Sequence, residues 1–236
     1  EGNDMKRHEI DTPALVIDQE VMMANIKKMQ AFADRNGVAL RPHTKTHKMP
    51  HIAKIQEEIG AKGVTIAKVG EAEVMAEDGL TNIFIANQIV GENKLKRIRK
   101  LAETINISFG IDSLEHVEQI EKVFEGANKK AQVLVEIEIG ENRSGVIEEE
   151  DFIALLERLK ECQNVEYKGI FSHDGHSYSA ESVEACKDLY LTGVERTLSF
   201  AKLAEEKGLT DQVVSIGATP PFTLGVDIPE GVTEIR

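Results

Sequence analysis

Apolar positions along the 236-residue chain follow two alternating periods. Short β-branched runs recur, and each is followed by a longer stretch in which apolar residues fall every three or four positions. The short runs predict strands at residues 38–43 (VALRPH), 63–68 (GVTIAK), 82–86 (NIFIA), 105–110 (INISFG), 132–139 (QVLVEIEI), 167–172 (YKGIFS), 212–217 (QVVSIG) and 232–236 (VTEIR). Between them lie helical patterns. Met22, Ile26, Met29 and Ala33 form one stripe within residues 19–35. Residues 112–125 open on Asp112 with Glu115 three positions on, a capping-box-like start. Residues 181–207 predict the longest helix, with Gly208 as its stop.

Strand–helix alternation argues for a parallel sheet with helical crossovers. Eight runs fit a (β/α)8 TIM barrel, and a doubly wound open sheet is the alternative. A ninth apolar run, ALVID at residues 14–18, precedes the first long helix and is expected to pair elsewhere. No Gly/Ser- or Pro-rich linker divides the chain, so residues 11–236 are expected to form one domain. Residues 1–10 read as a tag remnant and tail, with Met5 as a start methionine. The last strand ends flush at Arg236, which leads us to expect further natural sequence after it.

The formal net charge of −13 removes the global basic footprint of a nucleic-acid binder and disfavours an anionic membrane surface. No apolar run approaches the roughly 18 residues of a membrane span. Cys162 and Cys186 make neither a CxxC pair nor a disulfide framework, so a reducing, cytoplasmic setting is expected.

Against this acidic background, RPHTKTHK at residues 41–48 gathers Arg41, His43, Lys45, His47 and Lys48 at the end of the first strand. Barrel chemistry sits at the C-terminal ends of strands. Alternation on an extended backbone would put Arg41, His43 and Lys45 on one face. A lysine partly desolvated beside other cations exposes a nucleophilic amine, which forms Schiff bases with aldehydes. His43, His47 and His51 recur every four residues, but Pro42 opposes a helix through all three, so they are expected to be local polar support instead of metal ligands. After the fifth strand, Gly140 and Gly145 bracket Arg143, a donor for an anionic oxygen. After the sixth comes SHDGHSY at 172–178. Sequential Ser172, His173 and Asp174 face alternate ways and do not suit a triad. The cluster instead offers polar and aromatic groups to orient a ring or substrate. After the seventh, SIGATPPF at 215–222 combines small residues with prolines fit for a first helical turn, which points to a phosphate site. Together these residues suit a phosphorylated aldehyde, pyridoxal 5′-phosphate.

In order along the chain, RPHTKTHK, GVTIAKVGEAEVM (63–75), IANQIVG (85–91), GENRSGV (140–146), GHSY (175–178) and GATP (217–220) resemble the D-threonine aldolase and D-serine dehydratase branch of the alanine racemase-like, fold-type III pyridoxal-phosphate enzymes. The resemblance runs from about Asp11 to Arg236. It implies a barrel of the alanine racemase N-terminal type, with Lys45 as the Schiff-base lysine. Arg143 would lie by the cofactor's ring oxygen, Tyr178 and His176 by the pyridine ring, and Gly217, Ala218 and Thr219 on the phosphate. Ser215 and His43 join the cofactor-binding set, and Gln88 would line the pocket. The implied substrates are small D-configured β-hydroxy amino acids, and the implied assembly is a homodimer. The alternatives are an amino-acid racemase or a non-catalytic pyridoxal-phosphate homeostasis protein. The resemblance also implies a C-terminal β domain carrying a divalent metal. That domain is absent from this chain, and ALVID would normally help to build it. Pro221 departs from the pattern, standing where a small hydroxyl residue is expected.

Overall fold

The computed structural model describes residues 5–236. The reading of residues 1–4 as part of a tag remnant lies outside them. Residues 5–10 contain one short 3-10 turn, Arg7–Glu9.

Eight parallel strands form one sheet: β1 Ala39–Leu40, β2 Val64–Ile66, β3 Asn82–Gln88, β4 Asn106–Ile111, β5 Ala131–Ile137, β6 Val165–His173, β7 Val213–Gly217 and β8 Glu234–Ile235. The helices are α1 Gln19–Arg35, α2 Pro50–Ile59, α3 Val69–Glu77, α4 Glu92–Leu101, α5 Leu114–Val123, α6 Glu149–Glu161, α7 Val183–Glu206 and α8 Thr219–Thr223. Hydrogen-bonded order runs β1-β8-β7-β6-β5-β4-β3-β2, so the two outer strands are β1 and β2. They meet through a bridge between His43 and Thr65, with Thr65 N donating to Pro42 O at 2.9 Å and Lys62 N to Leu40 O at 2.8 Å. That closure selects the (β/α)8 barrel over the open sheet.

The strands are apolar on both faces, as a parallel sheet under helices requires. The larger core lies between sheet and helices, with Ile83, Ile85, Phe109, Val133 and Val135 facing buried positions of α3 to α6 such as Met75, Leu95, Ile120 and Phe152. A smaller cluster of Phe84, Leu134 and Phe171 fills the barrel interior. Phe84 and Phe171 meet edge to face at 5.1 Å. Gly110 makes room for them, since a Cβ there would lie 2.7 Å from Phe171 Cζ.

ALVID, expected to pair elsewhere, joins none of the barrel strands: residues 14–18 carry no regular structure, Leu15, Val16 and Ile17 are exposed, and Asp18 caps α1 by accepting from Val21 N at 3.0 Å. Two local expectations need correction. The cap of α5 is Ser113, which accepts from His116 N at 3.2 Å, instead of Asp112. β1 is two residues long, not six, because Pro42 has no N–H to continue the ladder.

Candidate active site

Beyond Pro42 the backbone leaves the strand. Thr44–Thr46 form a 3-10 turn, capped by His43 Nδ1, which accepts from Lys45 N at 3.2 Å. Lys48, at φ +53°, ends the turn and sends its ammonium outward, 3.7 Å from Glu71. Arg41 and Lys45 therefore do not share a face. Arg41 points to the opposite end of the barrel and pairs with Glu234, while Lys45 stands at the mouth. The turn lifts Lys45 above the strand end, so it is exposed at the rim instead of desolvated within the barrel.

Two adjoining cavities of about 240 Å³ each open at the mouth, and His43, Lys45, His173 and Arg236 line both. The first runs to Gly217, Ala218, Thr219 and Tyr178. The second runs to Asn87, Glu136 and Arg143. The structure thus brings together residues from the ends of β1, β3, β5, β6, β7 and β8. At the first cavity's far end, Ala218 is extended and precedes α8. Prolines fill two of that helix's first positions, so the donors left without intrahelical acceptors are the amides of Ala218 and Thr219. Gly217 is pressed against Arg236, where a Cβ would lie 2.9 Å from Nη2.

The other expected site residues take supporting or peripheral places. Ser215 is fully buried and accepts from Arg236 Nη1 at 2.8 Å. Gln88 donates to Glu136 Oε2, which also accepts from Ser144 Oγ at 2.9 Å, so Gln88 sits behind the cavity wall. Tyr178 is 64% exposed at the rim. His176 packs over Gly140, where a Cβ would approach its Nε2 to 2.9 Å.

His173, from the polar cluster after β6, and three residues not singled out from the sequence, Arg236, Glu141 and Glu136, complete the walls or hold them. Arg236 lies over the Phe171 ring at 5.4 Å and donates to Ser172 O at 2.6 Å. His173 Nδ1 meets Glu141 Oε2 at 2.9 Å. Glu136 is buried near the C-terminal end of β5. A carboxylate inside an apolar parallel strand is the signal that could have found Glu136, because such a strand has no solvated face to hold it.

Burial governs protonation here. It holds the His43 imidazole down at about 3, assisted by Lys45, Arg236 and His173. It holds His173 at about 4 against the opposing pull of Glu141. Asp174, behind the mouth, is pushed up to about 6 by burial, and its Oδ2 meets no donor among the described residues. Both imidazoles are therefore neutral at physiological pH. In the unfolded chain they take up protons below their ordinary value of 6.5, so their contribution to stability is complete above pH 6.5 and is lost as pH falls toward 4 and 3. Asp174 acts oppositely, adding stability as pH falls from about 6 to its ordinary 3.8. Two groups outweigh one, so the urea midpoint is expected to fall between pH 6.5 and pH 4. His43→Gln should make that fall shallower.

With this geometry in view, comparison with known proteins is specific. Residues 17–236 match the family described as alanine racemase, N-terminal domain. The D-threonine aldolase of Arthrobacter sp is 33% identical over 210 residues, 89% of this chain and 55% of the relative. The D-threo-3-hydroxyaspartate dehydratase of Delftia sp. is 30% identical over 228 residues, 96% of this chain and 60% of the relative. The crystal structure of D-threonine aldolase from Filomicrobium marinum superposes with a TM-score of 0.92 at 30% identity, covering 98% of this chain and 62% of that one. The chain spans a little over half the length of these relatives. By its sequence match and its barrel, the chain belongs to the alanine racemase N-terminal domain family.

Proposed function

We propose that this chain is the cofactor-binding barrel of a pyridoxal 5′-phosphate-dependent lyase that acts on D-configured β-hydroxy amino acids. The observation that carries the reading is the pair of cavities joined at Lys45, with orphan amides at one end and Arg143 at the other. That donor set fits a phosphorylated aldehyde: one exposed amine, two guanidinium groups, and a cup kept shallow by Gly217 and Ala218. Relatives named as lyases on D-threonine and D-threo-3-hydroxyaspartate support the substrate class.

When bound, pyridoxal 5′-phosphate supplies a conjugated ring that accepts the electron pair released at the substrate Cα. The chain's residues do the rest. Lys45 would present the amine that holds the aldehyde carbon. The Ala218 and Thr219 amides, beside Gly217, would hold the phosphate. Arg143 would serve the ring oxygen, with Tyr178 at the rim. Neutral His43 and His173 wall the site without adding positive charge beside the Lys45 amine. The protein is proposed to act in the cytoplasm as a homodimer, with a divalent metal held by residues outside this chain.

Purified protein loaded with cofactor and supplied with a divalent metal is expected to release glycine and acetaldehyde from D-threonine. Ammonia and pyruvate from D-serine would keep the lyase reading but change the bond broken. Interconversion of D- and L-alanine without either product would overturn it in favour of a racemase.

A further inference from the structure

The loops after β5 and β6 interlock through two glycines. Gly140, at φ +130°, lies beneath His176. Gly175 lies beneath Glu141, where a Cβ would stand 2.6 Å from the carboxyl carbon and 2.8 Å from His173 Cε1. Gly175 is outside the left-handed region, so its backbone does not demand glycine; the space does. Through that gap Glu141 reaches two residues of the cavity walls. Its Oε2 is 2.9 Å from His173 Nδ1, and its Oε1 is 3.4 Å from Arg143 Nη1.

We propose that Glu141 is a positioning residue: it binds the Nδ1 proton of His173, so that Nε2 is left as a bare acceptor, and it steers Arg143 toward the same cavity. A carboxylate has only acceptors to offer, so the ring nitrogen must be the donor. His173 is neutral in the folded protein, and a neutral imidazole with its proton on Nδ1 has none on Nε2. The charged and titratable groups around His173 are Glu141, Arg143, Arg236, His43, Lys45 and Glu136, and Glu141 is the carboxylate that meets its ring nitrogen. The single carboxylate ties the loop after β5 to the end of β6 and couples two walls that the strands position separately. The consequence for cofactor binding rests on the proposed function, but the tautomer does not.

The test is the nitrogen-15 spectrum of the His173 ring in the protein without added cofactor, assigned with His173→Gln. The wild type should show one neutral tautomer, proton-bearing at Nδ1 and bare at Nε2. In Glu141→Ala the Nε2-protonated form should gain population. Glu141→Gln should restore the wild-type tautomer, because its amide oxygen still accepts. Gly175→Ala should reproduce the Glu141→Ala spectrum with both groups still present. Glu141→Ala should also weaken pyridoxal 5′-phosphate binding about tenfold, through the loosened Arg143, as should Gly175→Ala. An unchanged His173 tautomer in folded Glu141→Ala, verified by circular dichroism, would overturn the assignment. A shifted tautomer in a protein that never binds the cofactor would uphold it and overturn the functional reading instead.

Discussion

Lys45→Ala is expected to leave a folded protein that has lost lyase activity by roughly four or more orders of magnitude. The size of the effect follows from the site's construction. Lys45 is the lysine lining both cavities, so no neighbouring amine can take its place at their junction. Lys48 turns outward toward Glu71 and cannot substitute. The fold should barely respond. Lys45 is exposed, and its backbone, not its ammonium, makes the contact with His43. Surface changes of this kind usually alter stability by within about 0.5 kcal/mol. Steady-state rates and a thermal melt on the same preparation check both halves. Full activity in the variant would remove Lys45 from the chemistry, while a large drop in melting temperature would make it structural.

The largest expected loss of stability lies at the other end of the barrel. Arg41→Ala should destabilise the fold by about 3–5 kcal/mol, because it strands a buried carboxylate. The Arg41 and Glu234 side chains are 8% and 2% exposed and meet at 2.9 Å. Arg41 Nη1 also donates to Asn82 Oδ1 at 2.8 Å, so one guanidinium ties β8 to β3 beneath the β1–β2 closure. Gly63 opens the path: a Cβ there would lie 2.7 Å from Nη1. For a chain of this size the loss corresponds to roughly 6–20 °C in melting temperature. The combined change Arg41→Met with Glu234→Leu should recover most of it, because no buried charge is then left without a partner. Equal losses in the single and the paired variants would show that packing, not charge, holds this seam.

The fold was legible in the sequence because a two-sided parallel sheet writes itself as dense apolar runs, and strands β2 to β7 coincide with such runs. The short strands were harder to read. β1 stops at Pro42, and β8 keeps only Glu234 and Ile235, since closing strands need few ladder bonds once their neighbours curve. ALVID takes no place in the barrel sheet, and Asp18 at its end caps α1. In the site, strand-end location was enough to place Lys45, Arg143, Tyr178 and the Gly217–Thr219 cup on the cavity walls. Alternation failed for Arg41 and Lys45 because the backbone leaves the strand between them. The contacts of Glu141, His173 and Arg236 were hidden for another reason. Their importance comes from contacts between loops and strands 21 to 64 residues apart, and no local period encodes such contacts.

Everything proposed for this site turns on Lys45 as the anchor of pyridoxal phosphate. Its most direct test is to add the cofactor to the purified protein, reduce with borohydride and map the modified peptide by mass. A visible absorbance band that vanishes on reduction is expected, with the pyridoxyl mass on the peptide carrying Lys45 alone. A colourless protein that gains no band, or a label on a different lysine, would contradict it.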